Sequence, residues 1–168
     1  MSARKVMLLG EIGVGKSSLV RRLVHDKFDI DYTPTIGVDV YSYEVPAAVA
    51  GQRISLVIFD TDGNYSESIF KHVYVKEAAA ALVVGDITRR STLDMMVRLA
   101  DGFIERLPGR HYSFITNKID LLDDREPVER PPGLVRPGVP LLDTSALSGA
   151  RVKDAFHETA LAILRRGL

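Results

Sequence analysis

Gly10-Glu11-Ile12-Gly13-Val14-Gly15-Lys16-Ser17 sets glycine, lysine and hydroxyl residues at the spacing Gly, four residues, Gly-Lys-Ser. Gly13 and Gly15 allow the backbone to come close to an anion, and the start of a helix supplies unpaired N–H groups and the positive end of its dipole. A polyphosphate suits such a cradle. Lys16 would place a point charge on the outer phosphates, and the Ser17 hydroxyl suits a hydrated octahedral Mg²⁺. The bland alternative is a glycine-rich turn with a helix cap. The flanks favour the cradle: residues 5–9 are an apolar strand-like run, and residues 18–24 carry apolar side chains at 19, 20, 23 and 24, one helical face.

Two further stretches bear on the same chemistry. Asp60-Thr61-Asp62-Gly63 follows a strand-like run and supplies a carboxylate, Asp60, that would hold Mg²⁺ through water. The Gly63 N–H is placed to meet a terminal phosphate oxygen. Asn117-Lys118-Ile119-Asp120 follows another strand, and its Asp120 carboxylate matches the ring N–H and exocyclic amine of guanine. Adenine offers neither donor there, so it would leave the carboxylate unpaired and be rejected. Thr144-Ser145-Ala146 would support the base with a backbone N–H.

These residues need a scaffold that gathers them. Residues 38–45 and 53–60 read as an antiparallel hairpin around a turn at 50–52, and residues 79–86 are apolar enough for a central parallel strand. Ile69, Phe70, Val73 and Tyr74 suggest a short amphipathic helix ending near Lys76. Residues 91–107 are the clearest long helix. Ser91 is its expected cap, Leu93, Met96, Val97, Ala100, Phe103, Ile104 and Leu107 its buried stripe, and Pro108-Gly109 its stop. Strands follow at 112–116 and 139–142, and a closing helix at 152–164. Between 121 and 140 lie five of the eight prolines, which argues for a rigid loop over a regular helix. The expected fold class is α/β: a six-stranded, mostly parallel sheet with one antiparallel edge strand and helices on both faces. Such sheets bind ligands at the carboxyl ends of their strands, where Gly10, Asp60, Asp86 and Asn117 fall.

A chain of 168 residues suits one domain, expected to span 1–168. With 22 basic and 22 acidic residues, charge gives no sign of a nucleic-acid partner. The absence of cysteine excludes disulfides, thiolate metal sites, thiol catalysis and prenyl or S-acyl anchors. Ser2 argues against N-myristoylation, and residues 6–9 are too short for a signal peptide, so the expected compartment is cytoplasmic, with no direct lipid anchor.

In order and spacing these motifs resemble the Ras-like small GTPases, closest to the Rab-like branch. The resemblance covers essentially the whole chain and implies the P-loop small GTPase fold. It implies a switch that binds GTP or GDP with Mg²⁺ and hydrolyses GTP. Carried over residue by residue, Gly13, Val14, Gly15, Lys16, Ser17 and Ser18 would form the phosphate loop, and Thr35 in Pro34-Thr35-Ile36-Gly37 would close on Mg²⁺ and the γ-phosphate. Phe28 would pack on the guanine, held by Asn117, Lys118 and Asp120, with Ser145, Ala146 and Leu147 completing the pocket. The implied metal set is Ser17, Thr35 and Asp60. The implied catalytic set is Lys16, Thr35, Gly63 and Asn64. Effectors, exchange factors or activating proteins would meet residues 30–40 and 61–74.

The chain also departs from the family. Asn64 stands where Gln is usual and is one methylene shorter; a misplacement of about 1 Å can cost on the order of a hundredfold. Slow, partner-assisted hydrolysis is expected. Ile12 and Asp62 add bulk and charge at the same end of the nucleotide. With no basic linker or lipid-accepting cysteine after the last helix, the expectation is either a prokaryotic member or one recruited by protein contacts. The alternative function is a nucleotide-locked interaction module with negligible turnover. A nucleotide kinase is a third reading, disfavoured because it leaves residues 117–120 unexplained. His25, His72, His111 and His157 show no ligand spacing and read as surface or helix-face residues.

Overall fold

The computed structural model describes residues 2–31, 35–61, 63, 75–125 and 127–168. Asp62, Asn64, His72 and the helix expected around Ile69, Phe70, Val73 and Tyr74 lie outside the described residues.

Six strands form one sheet: β1 (Ser2–Leu9), β2 (Val38–Val45), β3 (Ile54–Thr61), β4 (Ala80–Asp86), β5 (His111–Asn117) and β6 (Leu141–Asp143). Their order is β2-β3-β1-β4-β5-β6, and every pairing is parallel except β2 with β3. The expected class is therefore the observed one. The described helices are α1 (Lys16–His25), the single turn α2 (Ala47–Ala50), α3 (Arg90–Arg106) and α4 (Val152–Arg165).

The period-2 alternation of the central strands sorts their side chains into two cores. Val6 and Leu8 of β1, with Leu82 and Val84 of β4, pack with Leu19 and Val20 of α1 and Phe156 and Ile163 of α4. Met7, Leu9, Ala81 and Val83 point the other way and pack with Leu93, Met96, Ala100 and Phe103 of α3. Helices thus cover both faces. Gly85 lets α3 lie close, since a Cβ there would sit 2.3 Å from Met96 Sδ.

Several details differ from the sequence expectation. Ser91 does not cap α3: the cap position is Arg89, without a side-chain cap bond, and Ser91 is exposed inside the first turn. Thr92 ties this end down, accepting the Asp86 N–H at 2.9 Å and donating to Arg89 O at 2.7 Å. The β2–β3 connection holds the unforeseen α2, ended by left-handed Gly51 (φ 74). β6 begins two residues late because Pro140 has no N–H and contributes only its carbonyl, which accepts from Phe114 N at 2.9 Å. Between 121 and 140 the described chain forms no regular helix, only a 3₁₀ turn at Pro132–Leu134.

His111 corrects a further expectation. It opens β5 at 6% exposure, shares a hollow of about 330 Å³ with Leu161, Ala162 and Arg166, and leaves its Nε2 without a partner among the described residues. Burial, and then the charge of Arg166, lower its pKa from 6.5 to about 4. A group whose pKa falls on folding supports stability above its unfolded pKa and withdraws that support as pH drops through the folded value. Between pH 6.5 and 4, His111 should therefore cost the fold about 3 kcal/mol. Urea midpoints across that range should fall less steeply in His111→Leu than in the unaltered chain, and parallel curves would refute the assignment.

Candidate functional site

At the end of β1 the chain turns through Gly13 (φ 76) and Gly15 (φ 100) into α1. Each carbonyl from Gly10 to Val14 accepts a bond from a side chain. Lys16 Nζ donates to Gly10 O at 2.6 Å and Glu11 O at 2.9 Å. Arg89 Nη2 donates to Ile12 O at 2.9 Å, Lys118 Nζ to Gly13 O at 2.7 Å and Asn117 Nδ2 to Val14 O at 3.1 Å. In a planar trans peptide the N–H points opposite to the C=O. The N–H groups of residues 13–15 are thereby turned away from Arg89, Lys118 and Asn117, an arrangement that can face an anion, while those of residues 11 and 12 point away from Lys16.

At the foot of α1 three oxygen-bearing side chains meet. Ser17 Oγ lies 2.7 Å from Thr35 Oγ1 and also donates to Asp60 Oδ2. Asp60 is fully buried, its Oδ1 has no hydrogen-bond partner among the described residues, and burial raises its pKa against the opposing pull of the Ser17 bond and Lys16. Gly63 packs over this end. A Cβ on it would lie 2.2 Å from Ile12 N, so only glycine fits against the loop.

The opposite end is built on β5 and β6. Asn117 Oδ1 accepts from Thr144 Oγ1 at 3.1 Å and from Ala146 N at 3.2 Å, and Ser145 Oγ donates to Asp120 Oδ1 at 2.7 Å. Lys118 takes the left-handed conformation (φ 70), and its ammonium lies 3.0 Å from Asp86 Oδ2. Arg22 of α1 donates to Ala146 O at 2.9 Å and Leu147 O at 2.6 Å. Beneath these loops Arg130 grips Asp143 with two bonds, at 2.7 and 3.0 Å, and reaches Thr116 Oγ1 at 3.2 Å. Burial alone would raise Asp143, but the Arg130 and Thr116 bonds outweigh it and lower its pKa.

A cavity of about 430 Å³ joins the two ends, within the range of small-molecule sites. Of the residues the sequence assigns to a nucleotide site, Gly13, Gly15, Lys16, Ser17, Ser18, Phe28, Thr35, Gly63, Asn117, Lys118, Asp120, Ala146 and Leu147 line it. Three of the predicted set stand behind the wall: Val14 is buried in the core, Asp60 is reached through Ser17, and Ser145 orients Asp120. Ile12 lines the rim, 41% exposed. Sequence reasoning missed Arg21, Asp29 and Leu121 of the lining. It also gave no role to Arg22, Arg89 and Arg130, whose partners are backbone carbonyls or a distant carboxylate that no local pattern announces.

A phosphate cradle at the carboxyl edge of a mostly parallel sheet, with a polar pocket for a planar group at its far end, defines a P-loop nucleotide-binding protein. The family model for the Ras family matches residues 5–165. The chain is 32% identical to the Ras-related protein Rab-22A of Canis lupus familiaris over 162 residues, covering 95% of this chain and 82% of that protein. It is 33% identical to Ras-related protein RABF2a of Arabidopsis thaliana over 168 residues (96% and 81%), and 34% identical to human Ras-related protein Rab-4B over 165 residues (96% and 76%). The chain belongs to the Ras family of small GTPases, on its Rab-like side. As a member it is a GTP-binding switch GTPase that binds GTP and GDP and works with regulator or effector partners. No helix among the described residues is long and apolar enough to cross a membrane.

Gly15 offers a sharp test of how the two ends join. A Cβ there would meet Asn117 Nδ2 at 2.3 Å on a backbone that already favours glycine. Gly15→Ala should push the Asn117 amide off Val14 O, at a cost of about 1–3 kcal/mol for the broken buried bond. The expected result is a lower unfolding temperature and nucleotide release faster by roughly tenfold or more. Unchanged release of a fluorescent GDP would refute the coupling.

Proposed function

We propose that residues 1–168 form one cytoplasmic switch domain that holds GTP or GDP together with Mg²⁺ and hydrolyses GTP slowly, with a partner's help. The meeting of Ser17, Thr35 and Asp60 is the observation that carries this reading. Octahedral Mg²⁺ at about 2.1 Å from its ligands needs neighbouring oxygens about 3 Å apart, and Ser17 Oγ and Thr35 Oγ1 stand close to that spacing at 2.7 Å. The donors are all oxygen, and the buried Asp60 Oδ1, without a partner among the described residues, is a polar atom that gains from a cation or its water. Bound there, Mg²⁺ would neutralise phosphate charge and orient the outer phosphates.

The chain's own groups supply the rest. The N–H row and Lys16 hold the phosphates, Asp120 selects guanine, and Phe28 and Leu147 cover the base. Thr35 senses the γ-phosphate and carries that information into residues 30–40. Ile30 and Ile36, about nine-tenths exposed, give that segment apolar contacts for a partner protein. Gly63 and Asn64 stand for water positioning, and the shorter Asn64 side chain limits the rate.

Chromatography of nucleotide released from purified protein should give guanine nucleotide; adenine nucleotide would instead point to a kinase-like protein. Single-turnover phosphate release should be slow and should rise in Asn64→Gln. If neither protein hydrolyses GTP even with cell extract, the nucleotide-locked module is the correct reading. Thr35→Ala should weaken retention of GTP several-fold more than that of GDP when Mg²⁺ is present, and should lose this distinction in excess chelator. Equal weakening with and without Mg²⁺ would remove Thr35 from the metal set.

A further inference from the structure

Arg89 lies outside every motif, yet its guanidinium reaches the phosphate loop. Its Nη2 donates to Ile12 O at 2.9 Å, and Nη1 lies 3.5 Å from where a Gly13 Cβ would stand. The reach is built rather than incidental. Arg89 is the residue preceding α3, in extended conformation, and Thr92 of the first helical turn bonds back to its carbonyl. Its Nε lies 3.7 Å from Asp86 Oδ2, the carboxylate oxygen that also receives Lys118 Nζ at 3.0 Å. Asp86 is itself held by Thr88, whose N–H and hydroxyl donate to Oδ1 at 2.9 and 2.6 Å. One buried carboxylate therefore aims two cations at consecutive carbonyls of the loop, those of Ile12 and Gly13.

We propose that Arg89 is a positioning residue for GTP hydrolysis, acting through the Ile12–Gly13 peptide to orient and polarise the Gly13 N–H that faces the outer phosphates. A charged donor on a carbonyl draws electron density from the peptide and strengthens the N–H on its other side. A fixed donor of this kind is worth more where charge develops during reaction than in the resting complex. Arg89 thus favours the transition state over the bound nucleotide. The inference rests on the guanine-nucleotide reading of the site.

The test compares the unaltered chain with Arg89→Ala and Arg89→Lys, each loaded with GTP and Mg²⁺. Arg89→Ala should hydrolyse bound GTP about threefold to tenfold more slowly; the bond it loses lies at the surface, where water can take the donor's place, so unfolding temperature should fall less than in Gly15→Ala. Arg89→Lys, which restores one charged donor, should recover most of the loss. The β-phosphate ³¹P resonance of bound GDP should shift in Arg89→Ala and return in Arg89→Lys, a readout independent of turnover. The proposal is overturned if Arg89→Ala leaves both rate and resonance unmoved. It is equally overturned if both change only with a matching loss of unfolding temperature that lysine does not rescue. Failure of the unaltered chain to retain guanine nucleotide would instead overturn the underlying reading of the site.

Discussion

A peptide group can aim its N–H at an anion only by aiming its carbonyl the other way, and the shape of residues 10–15 follows from that constraint. A reversed carbonyl needs a donor, and for the buried ones, Gly10 O and Val14 O, going without costs about 1–3 kcal/mol. Lysine, arginine and asparagine side chains from three separate parts of the chain meet that need. Two of these donors are cations close together, and they coexist because Asp86 lies between them. Burial alone would raise the Asp86 pKa, but bonds from Thr88 and Lys118 outweigh it and keep the carboxylate ionised. Removing that negative charge would leave two like charges facing the same loop.

The base end obeys the same economy of partners. Asn117 holds the phosphate loop with its amide N–H and the 144–146 segment with its amide oxygen, so one side chain fixes the distance between the two ends. Register does the rest. Asp86 pairs with Asn117 and Thr116 with Asp143, which levels the carboxyl ends of β4, β5 and β6, while β3, whose Asp60 is matched through Leu8 to Leu82, ends three residues earlier. Arg130, midway along the proline-rich stretch, links the ends of β5 and β6. Further along, Arg136 bonds Asp101 at 2.8 Å and Gly133 O at 2.8 Å. A segment without a regular helix is thus tied to both the site and α3.

The fold and the motif residues were legible in the sequence because they depend on local signals. Apolar runs bounded by Gly and Pro marked β1, β4 and β5, and 3.6-residue periodicity marked α3 and α4. What escaped depends on partners remote in sequence. Ser91 looked like a cap because of its residue type, but Thr92 and Asp86 settle that helix start from across a turn. His111 reads in the sequence as a surface or helix-face residue, and its burial comes from α4, some fifty positions later. The roles of Arg89 and Arg130 escaped for the same reason. An arginine bonded to a backbone carbonyl leaves no trace in the identity of its partner.

The origins of the carbonyl donors bear on how the phosphate loop comes to exist at all. Lys16 is local, but Arg89 belongs to the β4–α3 turn, Asn117 ends β5 and Lys118 follows it, about a hundred residues from the loop they shape. Neither strand is next to β1 in the chain, and both must be in register before those donors arrive. Loop closure of that length precedes the reward, which makes the cradle a late product of assembly. A peptide carrying residues 1–30 would contain the whole glycine-lysine motif and still lack three of the four side chains that give it a shape.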